Sequence, residues 1–219
     1  MKKGHVLSAL HSSALTLLLF LPISMMLIAL AHAQDSDIPG EDQPKLFKPF
    51  FVYQDKGSIN RFTPSGYMPT GECIKMDDAW TQNCQEGKSC IKIQYDIPCS
   101  LKGRHWAGIY WLNPADNWGD RKGGYNLTGA KKLIFWARGE MGGEKIAEFR
   151  IGGVGQGRDY PDSDTASIGP VILTKQWKEY EIDLRDKDLT AIIGGFAWIA
   201  NVDDNPSTCV FYLDDIRYE

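Results

Sequence analysis

From Phe50 to the last residue the chain offers no useful apolar run with the 3.6-residue spacing of a helix. It offers short apolar segments instead, separated by clusters of Gly, Pro, Asn and Asp. Segments of that kind hide their apolar side only by pairing with one another, so the pattern commits the chain to sheets. Strands are expected at 50–53, 89–95, 106–112, 132–137, 146–151, 171–173, 178–184, 192–199 and 210–218. In the segment 178–184, Tyr180, Ile182 and Leu184 fall on one side and Glu179, Glu181 and Asp183 on the other, which gives one buried and one wet face. About nine such strands in one block predict an all-β fold, a single antiparallel β-sandwich of jelly-roll type. No internal repeat, low-complexity tract or second-domain boundary interrupts the block.

The residues ahead of the block follow another grammar. Met1-Lys2-Lys3 is positive, the stretch from Ala14 to Ala31 is nearly all apolar, and Ala31-His32-Ala33 has the small-x-small form of a cleavage site. This is the pattern of a secretory signal peptide, and Pro22 and Ser24 break the run that a membrane anchor would need. The expected division is a signal peptide over 1–33, a flexible polar lead-in over 34–46 and the β-sandwich over 47–219. The mature protein is expected to be secreted or periplasmic, with no stable membrane span once the leader is cut near Ala33. Loss of Lys2 and Lys3 makes the formal charge more negative than the −4 of the whole chain, so no basic field invites nucleic acid.

Export also decides what the remaining residues can do. Of the four His, three (His5, His11 and His32) lie in the leader, leaving His105. A single His cannot build a multi-His zinc site, and no G-x-S-x-G elbow supplies a nucleophile for a triad. All five Cys (Cys73, Cys84, Cys90, Cys99 and Cys209) belong to the mature chain, where disulfides are permitted. The close grouping of four of them favours local bridges such as Cys84–Cys90 or Cys73–Cys90, with one thiol left over. Spacing alone does not fix the connectivity.

Aromatic residues are concentrated in HWAGIYWLNPADNWGDRKGGY, which holds Trp106, Tyr110, Trp111, Trp118 and Tyr125. On a strand, Trp106, Gly108 and Tyr110 share one face, and Ala107, Ile109 and Trp111 share the other. One face must be core, because a Trp buries up to about 250 Å². The other is expected to present a flat platform on which the C–H face of a sugar ring stacks. Trp106, Tyr110 and Trp118 are the candidate stacking residues, with Trp198 as a further one; Trp136 and Trp177 read as structural. The segment from Gly152 to Pro170 reads as a long loop carrying Asp159, Asp162 and Asp164, and loops of that length are usually functional or mobile. Arg150, Asp159 and Asp164 are the candidate polar contacts to sugar hydroxyls. Adjacent acids Asp214 and Asp215 in the closing strand oppose strand propensity and need an offset, either a bound calcium or a salt bridge to Arg217 or a Lys. Asp55 is the acid expected beside them, since first and last strands often neighbour in sandwiches.

These residues together resemble a known group. The runs GIYWLNPADNWGD, KGGYNLTGAKKLIFWARGEMGGEKI, IGPVILTKQWKEYEIDL, IIGGFAWI and FYLDDIRYE are similar to jelly-roll carbohydrate-binding modules of the galactose-binding-domain-like superfamily. Such modules occur in exported bacterial proteins, some of them attached to endoglucanases. The likeness runs from Phe50 to Glu219 and implies a non-catalytic jelly roll. It also implies a structural Ca2+ held by an acid near the first strand and an Asp of the last, here Asp55 with Asp214 or Asp215. Finally, it implies a glycan site on a concave sheet face lined by aromatics.

Two other readings compete. Glu181 to Asp186 approaches the E-x-D-x-x-E motif of jelly-roll endo-β-glucanases, in which two carboxylates on one strand act as nucleophile and acid/base. Here Glu181 and Asp186 would take those roles, but Asp186 is one methylene short and sits at the strand end. The third reading is a surface-assembly protein with its aromatics at interfaces. The expectation adopted is non-catalytic binding of a polysaccharide or oligosaccharide. With no catalytic domain attached, such a protein would act alone or serve a partner enzyme or a surface assembly.

Overall fold

The computed structural model describes residues 46–69, 71–96, 105–205 and 207–219. The expected signal peptide, the lead-in up to residue 45 and Cys99 lie outside the described residues. Among those described there is no α-helix, and hence none long and apolar enough to cross a membrane. There are thirteen strands: β1 (Phe50–Tyr53), β2 (Thr63–Met68), β3 (Ile74–Trp80), β4 (Cys90–Tyr95), β5 (Trp106–Leu112), β6 (Lys132–Gly139), β7 (Lys145–Ile146), β8 (Glu148–Gly152), β9 (Thr165–Ile168), β10 (Val171–Ile172), β11 (Lys178–Asp183), β12 (Gly194–Asn201) and β13 (Cys209–Tyr218). One sheet runs β11-β6-β13-β4-β3 with β1 also paired to β13, and a second runs β2-β5-β12-β8-β9. A small ribbon joins β10 to β7, and every pairing is antiparallel. This is the expected antiparallel β-sandwich, built from more strands than the nine expected.

Three strands, β2, β3 and β9, were not expected, and the expected segment 146–151 divides at Ala147 into β7 and β8. β2 (TPSGYM) contains Pro64 and Gly66, which weaken a strand but are tolerated at the sheet edge this one occupies. β3 (IKMDDAW) carries adjacent acids, and at the edge of the other sheet such charges discourage pairing with another chain. β9 (TASI) lies inside the segment 152–170 expected to be loop, and it pairs with β8 from Phe149↔Ile168 to Gly152↔Thr165. That long loop is therefore only the stretch before Thr165.

The main core is a set of rings supplied by both sheets. Phe135 of β6 meets Phe149 of β8 and Phe196 of β12 at centroid separations of 4.7 and 5.1 Å, and Trp111 of β5 lies 5.5 Å from Phe196. All four are fully enclosed. Edge and tilted geometries of this kind add to the burial of ring surface and lock the inner faces together. In β11 the expected alternation holds, with Ile182 buried and Glu179, Glu181 and Asp183 exposed.

The pivot of the six-stranded sheet is β13. It pairs with β6 on one side; on the other it pairs with β4 through Cys209–Leu213 and then with β1 through Ile216–Tyr218. The changeover falls on Asp214 and Asp215, where the register shifts and Asp215 takes a positive φ of 47°. Asp214 is fully buried there, and its Oδ2 accepts the N–H groups of Gln85 (2.9 Å) and Glu86 (3.0 Å) from the loop before β4. Asp55 holds the same loop from the other end, its Oδ1 accepting the N–H groups of Lys88 and Ser89, each at 2.7 Å. The loop is closed by the disulfide Cys84–Cys90, one of the two local bridges the spacing favoured. Cys73 is also disulfide-bonded, and Cys209 is the free thiol, buried at the start of β13.

Burial pushes the Asp214 carboxyl up to about 6, although its backbone N–H partners pull the other way. A carboxyl raised in the folded state contributes stability that is complete below its unfolded value near 4 and is lost as pH rises through 6. Burial raises Asp162 and Asp215 in the same sense. The carboxyls lowered by hydrogen bonds (Asp96, Asp164, Asp183, Asp188 and Asp204) lose their contribution only below pH 4. Denaturant melts are therefore expected to show stability falling by on the order of 2 kcal/mol between pH 4 and 6.5, with most of the slope removed by Asp214→Asn. An unchanged slope in that variant would assign it to another group.

Candidate functional site

The five-stranded sheet is covered on both faces at its centre. In β5, Ala107, Ile109 and Trp111 join the main core, while Tyr110 and Leu112 join a second apolar cluster with Val154, Ile193 and Ala197. The outward alternation expected for Trp106, Gly108 and Tyr110 is thus present, but only part of that face is open. Antiparallel register builds it into rows. Gly66, Tyr110, Ala197, Arg150 and Ser167 stand side by side across β2, β5, β12, β8 and β9, and Met68, Gly108, Ile199 and Glu148 form the next row. Trp106 stands opposite Asn201 beyond them.

Trp118 roofs the first row. Its ring meets Tyr110 edge-on, with centroids 5.9 Å apart, and stays half-buried. Gly66 makes room for it, since a Cβ there would lie 2.8 Å from Tyr110 Cβ and 3.1 Å from Trp118 Cζ2. The next residue, Gly119 (φ 92°), packs so closely on Gly155 (φ 75°) that a Cβ would fall 2.5 Å from the Gly155 Cα. The loop bearing Gly155 is fixed in turn by Asp162, which is buried and accepts N–H bonds from Val154 (2.8 Å), Ile193 and Gly194 (3.3 Å). Trp118 and Tyr110 therefore rest on closely packed, hydrogen-bonded backbone, which lowers the ordering cost of binding anything laid upon them.

Polar groups stand on the same face. Arg150 Nη1 lies 3.6 Å from Glu148 Oε2, and its Nη2 donates to Thr165 Oγ1 at 3.3 Å. Its Nε has no protein partner among the described residues. Glu148, Arg150 and Asn201 are half-buried, while Trp106 is 38% exposed. A guanidinium beside a carboxylate offers donors and acceptors within one hydroxyl spacing of each other.

Of the residues expected to bind, Trp106, Trp118 and Arg150 share this outer face, with Trp106 four residues along β5 from the Tyr110 that Trp118 covers. Tyr110 lies beneath Trp118, 4% exposed, its hydroxyl donating to Gly152 O at 2.9 Å and raised by burial to about 12. It is a floor for Trp118 and not a free platform. Trp198 points the other way, is fully enclosed, and packs edge-on against Phe211 at 5.0 Å, so it has no face to give a sugar. Asp159 is exposed on the preceding loop, and Asp164 accepts N–H bonds from Thr165 and Asp188 and lies 3.4 Å from Lys187 Nζ. Sequence reading missed Met68, Glu148, Ser167 and Asn201. β2 and β9 went unseen, and only register sets Glu148 and Asn201 beside the aromatics.

The acids expected to hold calcium have protein partners in the structure. Asp55, Asp214 and Asp215 do not bring one oxygen each within 4.8 Å of the others. Asp55 and Asp214 face backbone N–H donors, and Asp215 is paired with Arg217, which also bonds Glu219 Oε1 at 2.8 Å. Among the described residues the only such cluster is Cys84, Cys90 and Asp214, and its two sulfurs are spent on the disulfide. The adjacent acids of β13 are offset by the salt bridge for Asp215 and by the loop N–H groups for Asp214. The glucanase-like pair is separated too. β11 ends at Asp183, so Asp186 lies in the turn beyond, and Glu181 faces solvent 3.5 Å from Lys132 Nζ.

No protein-family model and no curated protein matches the sequence. Solved structures do match it. A family 30 carbohydrate-binding module superposes with a TM-score of 0.50 and 14% identity, covering 78% of this chain and 98% of that one. The family 30 module of the cellulosomal cellulase Cel9D-Cel44B of Clostridium thermocellum gives the same score and identity, covering 78% and 97%. At this identity the likeness is one of fold, and the chain has the β-sandwich fold of carbohydrate-binding modules.

The burial contrast between the two tryptophans has a direct consequence. Trp198→Ala is expected to cost about 3–5 kcal/mol in a denaturant melt, whereas Trp106→Ala should change stability by less than about 1 kcal/mol. Equal costs would move Trp106 into the core.

Proposed function

We propose that the outer face of the five-stranded sheet binds a polysaccharide chain without cleaving it. The observation that carries this reading is Trp118 anchored over Tyr110 on the sheet face that also bears the exposed Trp106 and the Arg150–Glu148 pair. Pyranose rings present C–H groups that stack on indole faces, and their hydroxyls take both donors and acceptors. The fold neighbours named as carbohydrate-binding modules support the same reading. Cys84–Cys90 supports an oxidising compartment, as expected of an exported protein. A partner enzyme or a surface assembly would then be supplied with a protein that holds it to glycan.

Affinity electrophoresis through gels containing β-glucan, xylan, mannan or alginate tests this, followed by an assay for new reducing ends. Retardation without new ends is expected in at least one gel. Trp106→Ala and Trp118→Ala should each weaken it by about 1–3 kcal/mol with the fold intact. New reducing ends, or no retardation in any gel, would overturn the reading. The stacking proposed does not use calcium, so chelator should leave retardation unchanged. A melting temperature that rises with added calcium would restore Asp55, Asp214 and Asp215 as ligands.

A further inference from the structure

The outer face of the six-stranded sheet carries a different arrangement. A row of alternating rings and cations crosses its strands: Trp80 of β3, Lys92 of β4, Tyr212 of β13, Arg138 of β6, and Trp177 just ahead of β11. Lys92 Nζ lies 4.1 Å from the Trp80 ring centroid, and Arg138 Cζ lies 3.7 Å from that of Tyr212 and 5.4 Å from that of Trp177. Register sets Lys92 and Arg138 directly opposite Tyr212 on its two sides. The rings are pinned at their edges. Trp80 Nε1 donates to Gln82 O at 2.9 Å, Trp177 Nε1 to Asn83 O at 2.8 Å, and the Tyr212 hydroxyl to Glu140 Oε2 at 2.7 Å. Both carbonyls belong to the segment between β3 and β4, the one closed by Cys84–Cys90 and held by Asp214.

At the Trp177 end this face opens into a depression lined by Asn83, Gln85, Lys175, Gln176 and Trp177. Behind it lies Arg138, 7% exposed, whose Nε has no protein partner among the described residues. One pinned indole, three carboxamides and one ammonium surround the space. A carboxamide sets a donor beside an acceptor, which matches neighbouring hydroxyls on a sugar ring. The lining holds no carboxylate, so the two-carboxyl chemistry of glycosidases is not available there.

We propose that this depression is a second saccharide-binding site, in which the ring of Trp177 stacks on a pyranose and Asn83, Gln85 and Gln176 bond its hydroxyls. The inference rests on the saccharide reading of the opposite face. The two outer faces of a sandwich point away from each other, so one chain lying flat on the first face is not the chain held at the second. The protein then bridges two chains.

The experiment follows indole N–H signals of the full chain in 1H–15N spectra as cellohexaose, xylohexaose or mannohexaose is added, with tryptophans assigned by Trp→Phe substitution. Movement of the Trp177 and Trp106 signals with one of these probes is the expected result. In affinity gels, Trp106→Ala/Trp118→Ala should keep residual retardation that falls about tenfold further on adding Gln85→Ala/Gln176→Ala, two changes outside the core. Trp177→Ala should do the same with the fold intact. Movement of Trp106 alone, with residual retardation insensitive to Gln85 and Gln176, would overturn the second site and leave the first. Movement of Trp177 alone would keep the second site and remove the first, and no movement with any probe would remove both.

Discussion

Strand β13 must satisfy backbone hydrogen bonds on both sides along ten residues, and on one side no single neighbour does so. β4 serves its first half and β1 its second, and the change of partner leaves a gap at Asp214 and Asp215. A buried backbone gap is costly unless something polar fills it. The Asp214 carboxylate fills it, its Oδ1 accepting the Asp215 N–H at 2.9 Å while its Oδ2 accepts those of Gln85 and Glu86 from the loop before β4. Asp55 and Cys84–Cys90 then fix the rest of that loop, and Gly87 at φ 60° keeps clear the space the Asp55 carboxylate takes. Much of what this face of the sandwich displays follows from that repair, including the carbonyl that orients Trp177.

The second sheet solves a different problem. β5 and β12 lie at its centre and are apolar on both sides, so the outward side has to be roofed as well as the inward one. Two glycine-rich loops do the roofing, and their close approach at Gly119 and Gly155 carries Trp118 onto Tyr110. What remains open is the border of that roof, where Trp106, Arg150 and Glu148 stand. The proposed binding face is therefore the uncovered remainder of a second core. This explains why its aromatics are rigid and why Tyr110 serves as support.

Much of this architecture could be read from the residues. The alternation in 178–184, the apolar run in 106–112 and the paired apolar residues of 210–218 each became the strand they suggested, because period-two burial survives whatever the sheet order turns out to be. β2, β3 and β9 were illegible because they are edge or near-edge strands. Pro64, Gly66, Asp77 and Asp78 cost little there, and the usual pattern is not enforced. At the candidate face, Trp106, Trp118 and Arg150 were named from residue type, and the structure sets all three on it. Met68, Glu148 and Asn201 had no signal at all, since each belongs to the face only through its neighbour in register.

The sequence by itself determined the class of fold, the strands with two-residue periodicity, the local grouping of four cysteines, and a surplus of aromatics in one strand and loop. All of these are properties of neighbours along the chain, and short-range periodicity and composition carry them. Only the tertiary structure decided which tryptophans face solvent. Trp198 and Trp106 sit on similar strands in similar company, yet one is enclosed against Phe211 and the other is open. Likewise only the tertiary structure gave Asp214 its partner, a loop more than a hundred residues earlier, whereas the Arg217 partner of Asp215 was among the offsets legible along the chain. Burial is set by what packs across a face. That depends on sheet order and register, which pair residues far apart in the chain.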